Sequence, residues 1–152
     1  MRPPLKSHRL RIARVSEPGR IYLLTAVTWN RAPVFRDIHV ARIACRVCHQ
    51  PNAWTNATCL AWVFMPDHWH GLVELHEGDL SRTVARFKAM VSSAIKRKTG
   101  RNYPVWQRTF HDRALRQDDD VKDAARYIVA NPLRAGLVDR VGDYPYWNAT
   151  WL

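Results

Sequence analysis

The chain has 152 residues, 47% of them hydrophobic, which suits a single domain able to bury its own core. Lys and Arg outnumber Asp and Glu 24 to 13, and a formal net charge of +11 points to a polyanionic partner. Three cysteines are too few for a disulfide framework, no run approaches a membrane span, and residues 1–20 lack the apolar stretch of a secretory signal, so a cytoplasmic protein without membrane attachment is expected.

Residues 1–20 read as a basic arm, with Arg9, Arg11 and Arg14 as candidate phosphate contacts among prolines. Residues 21–29, rich in β-formers, predict a central strand that ends at Asn30-Arg31-Ala32-Pro33. From Asp37, a candidate N-cap, apolar residues recur at Val40, Ile43, Ala44, Val47 and Cys48, the period of one helix face. Within that helix Cys45-Arg46-Val47-Cys48-His49 matches a haem-attachment pattern. The reading is rejected, because Cys48 belongs to the apolar stripe and the chain lacks an export signal.

Residues 60–64 and 68–75 predict two strands joined by a turn at Pro66-Asp67. Side chains alternate along a strand, so His68 and His70 share one face with Cβ atoms roughly 6 to 7 Å apart. Two imidazoles so placed can converge on one metal ion, and solvated histidines are the plainer alternative. Trp69, Val73 and Leu75 fall on the opposite, buried face, while Glu74 follows the histidines outward. A second helix begins at the Glu77-Gly78-Asp79 turn and is stopped by Gly100, with Leu80, Val84, Phe87, Val91 and Ala94 as its apolar face. Arg82, Arg86 and Arg97 lie on its outward face as further candidate phosphate contacts, and a merely solvated face is the alternative.

Residues 105–116 read as a fourth strand. Asp118-Asp119-Asp120 then opens a third helix, with Val121, Ala124, Ala125, Ile128 and Val129 as its buried stripe. Tyr127 and Asn131 sit one turn apart beside that stripe, and Pro132 is expected to end the helix. Residues 139–152 read as an aromatic tail. The order strand, helix, strand, strand, helix, strand predicts an α+β, ferredoxin-like split βαβ domain: a four-stranded antiparallel sheet with helices on one face, plus a C-terminal helix carrying Tyr127.

Met65-Pro66-Asp67-His68-Trp69-His70, taken with Tyr127-Ile128-Val129-Ala130-Asn131-Pro132-Leu133-Arg134-Ala135-Gly136-Leu137-Val138, resembles the REP-associated tyrosine transposases. These are single-tyrosine HUH relatives of the insertion-sequence transposases, and the resemblance extends to residues 22–35 and 106–116. It implies that His68 and His70 are metal ligands, Asn131 a third ligand, Tyr127 the nucleophile, and Mg²⁺ or Mn²⁺ the cofactor. It further implies single-stranded DNA cut beside hairpins of repetitive extragenic palindromes, a 5′-phosphotyrosine intermediate with a free 3′-hydroxyl, and a monomer rather than a homodimer. Insertion-sequence relatives often carry Gln at the Asn131 position. Many relatives carry His where this chain has Arg113. The rival readings are a non-catalytic single-stranded nucleic-acid-binding module and a zinc hydrolase or deaminase; the latter lacks the His-x-Glu and Pro-Cys-x-x-Cys elements it needs.

Overall fold

The computed structural model describes residues 16–116 and 118–151, so the predicted arm residues Arg9, Arg11 and Arg14 lie outside the described residues. Strands β1 (Ile21–Val27), β2 (Ala57–Met65), β3 (His68–Leu75), β4 (His111–Ala114) and β5 (Trp147–Ala149) form one antiparallel sheet ordered β4-β1-β3-β2-β5. Helices α1 (Ile38–Cys48) and α2 (Leu80–Thr99) pack on one face, and α3 (Val121–Val129), followed by the short α4 (Asn131–Arg134), lies at the other. The ferredoxin-like plan is present, with five strands where four were expected.

The helices begin where their side chains can satisfy the first free N–H groups. Asp37 accepts from the amides of His39 and Val40, Asp79 from Ser81, and Asp120 from Lys122 and Asp123. Gly100 ends α2 with φ of 73°, a conformation that costs an L side chain about 1 to 2 kcal/mol. The apolar stripes then separate into two cores. Val40, Ala44, Val84, Phe87 and Val91 meet Tyr22, Leu24, Trp62, Phe64, Trp69 and Val73 on one face. Ala125, Ile128 and Val129 meet Ala61, Val63, Met65 and Leu72 on the other.

Strand β2 contributes to both cores through an irregularity between Cys59 and Ala61. Ala57 and, partly buried, Cys59 belong to the first core, and after the shift it is Trp62 and Phe64 that face that way. The inserted residue reverses the alternation, as a bulge does. Cys48 is buried in the first core, and burial there pushes its thiol pKa up.

Three sequence expectations are corrected in extent. The fourth strand is only His111–Ala114; residues 105–110 touch the sheet through an isolated Thr28–Trp106 bridge while Val105, Trp106 and Phe110 plug the core. The C-terminal segment is no loose tail: β5 pairs with β2, and the Tyr144 hydroxyl donates to the Phe64 carbonyl at 2.5 Å. Pro132 interrupts the third helix without ending the helical path. It falls in the first turn of α4, where its missing N–H costs nothing, and Ala135 N–H closes onto the Asn131 carbonyl at 2.9 Å.

Gly71 is required by packing on β3. A Cβ there would lie 2.1 Å from the Trp69 ring, which is fully buried and held against Phe87 at 4.5 Å between centroids. The ring has nowhere to retreat. Gly71→Ala is therefore expected to destabilise the fold by roughly 3 kcal/mol, a fall in Tm of about 6 to 12 °C, read by thermal and urea unfolding. A Tm within 2 °C of the parent would mean, roughly, that the indole has an alternative seat.

Candidate active site

Pairing of β3 between β1 and β2 places His70 opposite Thr25 and Val63, and His68 opposite Val27 and Met65. Both imidazoles project from the sheet face that α3 covers, together with Leu72. By its sequence this face reads as outward. In the fold it is a half-covered floor, and His70 is partly buried because α3 packs beside it. The two rings lie 4.7 Å apart between centroids with planes at 82°.

Each ring is oriented by a neighbour. Asp67 Oδ1 is 2.7 Å from His68 Nδ1, and Thr25 Oγ1 is 2.9 Å from His70 Nδ1. Partners on Nδ1 leave the Nε2 atoms as those that could ligate a metal, and hold the rings in place. Asp67 is itself steadied by Arg31 Nη1 at 3.0 Å. Burial would raise the Asp67 carboxyl, but the bonds to His68 and Arg31 outweigh it and hold the group below its usual range. Burial, reinforced by the neighbouring His68 ring and the Arg134 guanidinium and partly opposed by the Leu24 carbonyl, pushes His70 down to about 4. His70 is therefore neutral at pH 7 and its lone pair is available to a metal.

Tyr127 projects from α3 and is 59% exposed. It borders a groove of about 500 Å³ shared with Leu23, Arg113, Leu115 and Asp123. Arg113, standing where many relatives have histidine, thus shares the tyrosine's groove and pairs with Asp119 at 3.8 Å. Asn131, half-buried, opens α4, four residues beyond Tyr127. Seven residues beyond the tyrosine, two turns along the path that resumes after Pro132, Arg134 reaches back and sets its guanidinium 3.7 Å from the Tyr127 ring centroid. Among the described residues it pairs with no carboxylate, while its charge is felt at His70. A cation against the tyrosine ring whose charge also reaches His70 suits an incoming anion.

The sequence singles out the histidines, Tyr127 and Asn131 but not Thr25, Asp67 and Arg134, which contact the histidine rings and the Tyr127 ring in the fold. Asp67 had a signal, a carboxylate directly before His68, and Arg134 had another, its heptad spacing from Tyr127. Thr25 had none, since only strand pairing brings it to His70. Arg82, Arg86 and Arg97 lie on α2, across the sheet from the histidines. They line two adjoining grooves of about 620 and 410 Å³, where Arg86 Nε bonds the Asn52 carbonyl at 2.8 Å.

Among the described residues no cluster of three His, Cys, Asp or Glu side chains surrounds a common point, so a metal here would have the two imidazoles and, as a third donor, an amide such as that of Asn131. No described helix is long and apolar enough to cross a membrane.

An α+β domain whose sheet carries paired histidines beside a tyrosine-bearing helix has the architecture of the single-tyrosine transposases. The family model "Transposase IS200 like" matches residues 19–131, and the chain belongs to that family. It is 27% identical over 142 residues to a Haemophilus influenzae protein assigned to the REP-associated tyrosine transposases, covering 84% of this chain and 78% of the relative. It is 33% identical over 88 residues to the Escherichia coli REP-associated tyrosine transposase, spanning 57% of this chain and 50% of that protein. A REP-associated tyrosine transposase solved with a REP hairpin bound superposes with a TM-score of 0.67 at 25% identity, over 88% of this chain and 79% of that one.

Proposed function

We propose that this chain is a metal-dependent single-stranded DNA endonuclease and strand transferase that cuts at or near the hairpins of repetitive extragenic palindromes. The observation that carries the reading is the exposed Tyr127 on the helix that covers the histidine face, under a guanidinium that pairs with no carboxylate among the described residues. His68, His70 and Asn131 would hold Mg²⁺ or Mn²⁺, which when bound polarises a phosphoryl oxygen and stabilises the charge built up during attack. The Tyr127 phenol oxygen attacks phosphorus and releases its proton. The P–O3′ bond breaks in line, and the departing 3′ oxygen takes up a proton, leaving the 5′ phosphate esterified to Tyr127. One phosphate ester has replaced another, so a later attack by a 3′-hydroxyl rejoins strands without a nucleotide cofactor. Asp67 and Thr25 keep the imidazoles aimed, and Arg134 offers the non-bridging oxygens a fork of donors.

The test uses a hairpin oligonucleotide with unpaired flanks, end-labelled on either side, incubated with the protein in Mn²⁺ or in chelator. A labelled protein band that survives denaturing electrophoresis is expected with metal only, and only when the label lies 3′ of the cut. Binding without cleavage would make the chain a single-stranded nucleic-acid-binding module instead.

The basic grooves on α2 then belong to DNA remote from the scissile bond. Replacing Arg82, Arg86 and Arg97 together with Ala is expected to reduce the slope of log affinity against log salt by roughly 2 to 3, while adduct formation at saturating DNA is unchanged. An unchanged slope would put the DNA track on another surface.

A further inference from the structure

The turn that follows β1 forms one wall of a cleft of about 430 Å³, lined by Trp29, Pro33, Val34, Tyr103 and Pro104, with an Asp37–Arg101 ion pair at 3.0 Å in its lining. Trp29 and Tyr103 are 43% and 36% exposed, unusual for large rings in a domain that buries most of its aromatics. The turn is held in a demanding conformation: Asn30 and Arg31 both take positive φ, 53° and 51°, where side chains are disfavoured. Three hydrogen bonds fasten it to the β2–β3 turn, from Thr28 N–H and Thr28 Oγ1 to the Asp67 carbonyl, each at 2.9 Å, and from Phe35 N–H to the Pro66 carbonyl at 3.0 Å. The same Asp67 carboxylate that orients His68 also binds Arg31. The turn that walls the cleft is thus bonded to Asp67, the residue that orients His68.

We infer that this cleft receives a single unpaired nucleobase of the DNA strand held at the tyrosine site, stacked on the Trp29 and Tyr103 rings. Its volume is at the small end of ligand pockets and admits a planar base. Exposed rings offer a face to any base, while the Asp37 carboxylate and Arg101 guanidinium supply an acceptor and donors for a base edge. The surrounding charge of +11 draws in the phosphates between which the base hangs. Anchoring one base beside His68 fixes which phosphate reaches Tyr127, so the cleft sets the register of cleavage. The inference takes the substrate to be single-stranded DNA, as proposed for the tyrosine site.

The probe is a stable hairpin with unpaired thymidine flanks, in which each flank position in turn carries an abasic residue, titrated against the full chain by fluorescence anisotropy. With the parent, one abasic position is expected to weaken binding roughly 5- to 150-fold, the range that stacking of one base supplies. Trp29→Ala and Tyr103→Ala should weaken the intact probe similarly and lose sensitivity to that abasic position alone, whereas Trp29→Phe should retain it. Both side chains are well exposed, and unchanged thermal melting of each variant confirms folding. Ala variants that bind like the parent, or that stay equally sensitive to the abasic position, overturn the inference. Adduct formation on Tyr127, scored on the same probes, separates the two readings: adduct without base coupling removes the cleft alone, and base coupling without adduct removes the transfer chemistry alone. A parent that binds none of the hairpins removes both.

Discussion

Tyr127→Phe is expected to form no covalent adduct with DNA, a loss to the detection limit, while melting temperature and hairpin affinity stay close to those of the parent. The substitution deletes one oxygen. The ring is 59% exposed, so its packing contribution is small, and the cation–π contact with Arg134 survives on a Phe face. Loss of the reaction with binding intact is the signature of a missing nucleophile. If the variant still forms the adduct, another tyrosine attacks; Tyr103 is 36% exposed, whereas Tyr144 is bonded to the Phe64 carbonyl and burial pushes its pKa up, which leaves Tyr103 as the substitute to examine. If the parent cuts without an adduct at any time and the variant cuts equally well, water is the attacker and the strand-transfer reading fails.

His68→Ala and His70→Ala are each expected to slow metal-dependent cleavage by about a thousandfold or more, a barrier increase of about 4 kcal/mol, because each removes a ligand from a site with few donors. Their effects on stability should differ. His68 sits at the mouth of the hairpin and bonds to Asp67 of the adjoining turn. His70 lies deeper between β1 and β2, so removing it opens space beneath α3 and leaves the Thr25 hydroxyl without its partner. A further cost of about 1 to 3 kcal/mol is expected for His70→Ala in urea unfolding. Cleavage that persists at the parental rate in both variants, or in chelator, would rule the histidine pair out as a metal site.

The placement of the candidate groups was legible because it is local. Two histidines on alternate positions of a strand share a face whatever surrounds the strand, and the i, i+4 spacing of Tyr127 and Asn131 survives the interruption at Pro132. Helix starts were legible for the same reason: Asp37 and the aspartates before Val121 announce caps whose hydrogen bonds span only two or three residues. The family resemblance added the roles, and it rested on those same short stretches.

What periodicity could not decide was which side of the sheet each helix would cover. The face bearing His68, His70 and Glu74 reads as solvent-exposed because it carries polar residues, yet α3 lies there, packing on Leu72, Met65 and Val63 between and beside them. The helix had to go there because its own stripe of Ala125, Ile128 and Val129 needs an apolar partner, and the bulge in β2 turns Ala61, Val63 and Met65 towards it. Likewise residues 105–110 have strand-like composition, but Trp106 and Phe110 are drawn into the first core and only four residues remain to pair with β1. The aromatic C-terminal segment could not announce a strand of three residues whose hydrogen-bond partner is some 85 positions earlier. The sequence by itself therefore determined β1 to β3, the three longer helices and the spacing of the candidate groups, all set by interactions within a turn, a helix or a strand. Only the tertiary structure decided that Tyr127, Arg134, Thr25 and the histidine pair occupy one face, because that depends on burying two separate apolar surfaces on opposite sides of one sheet.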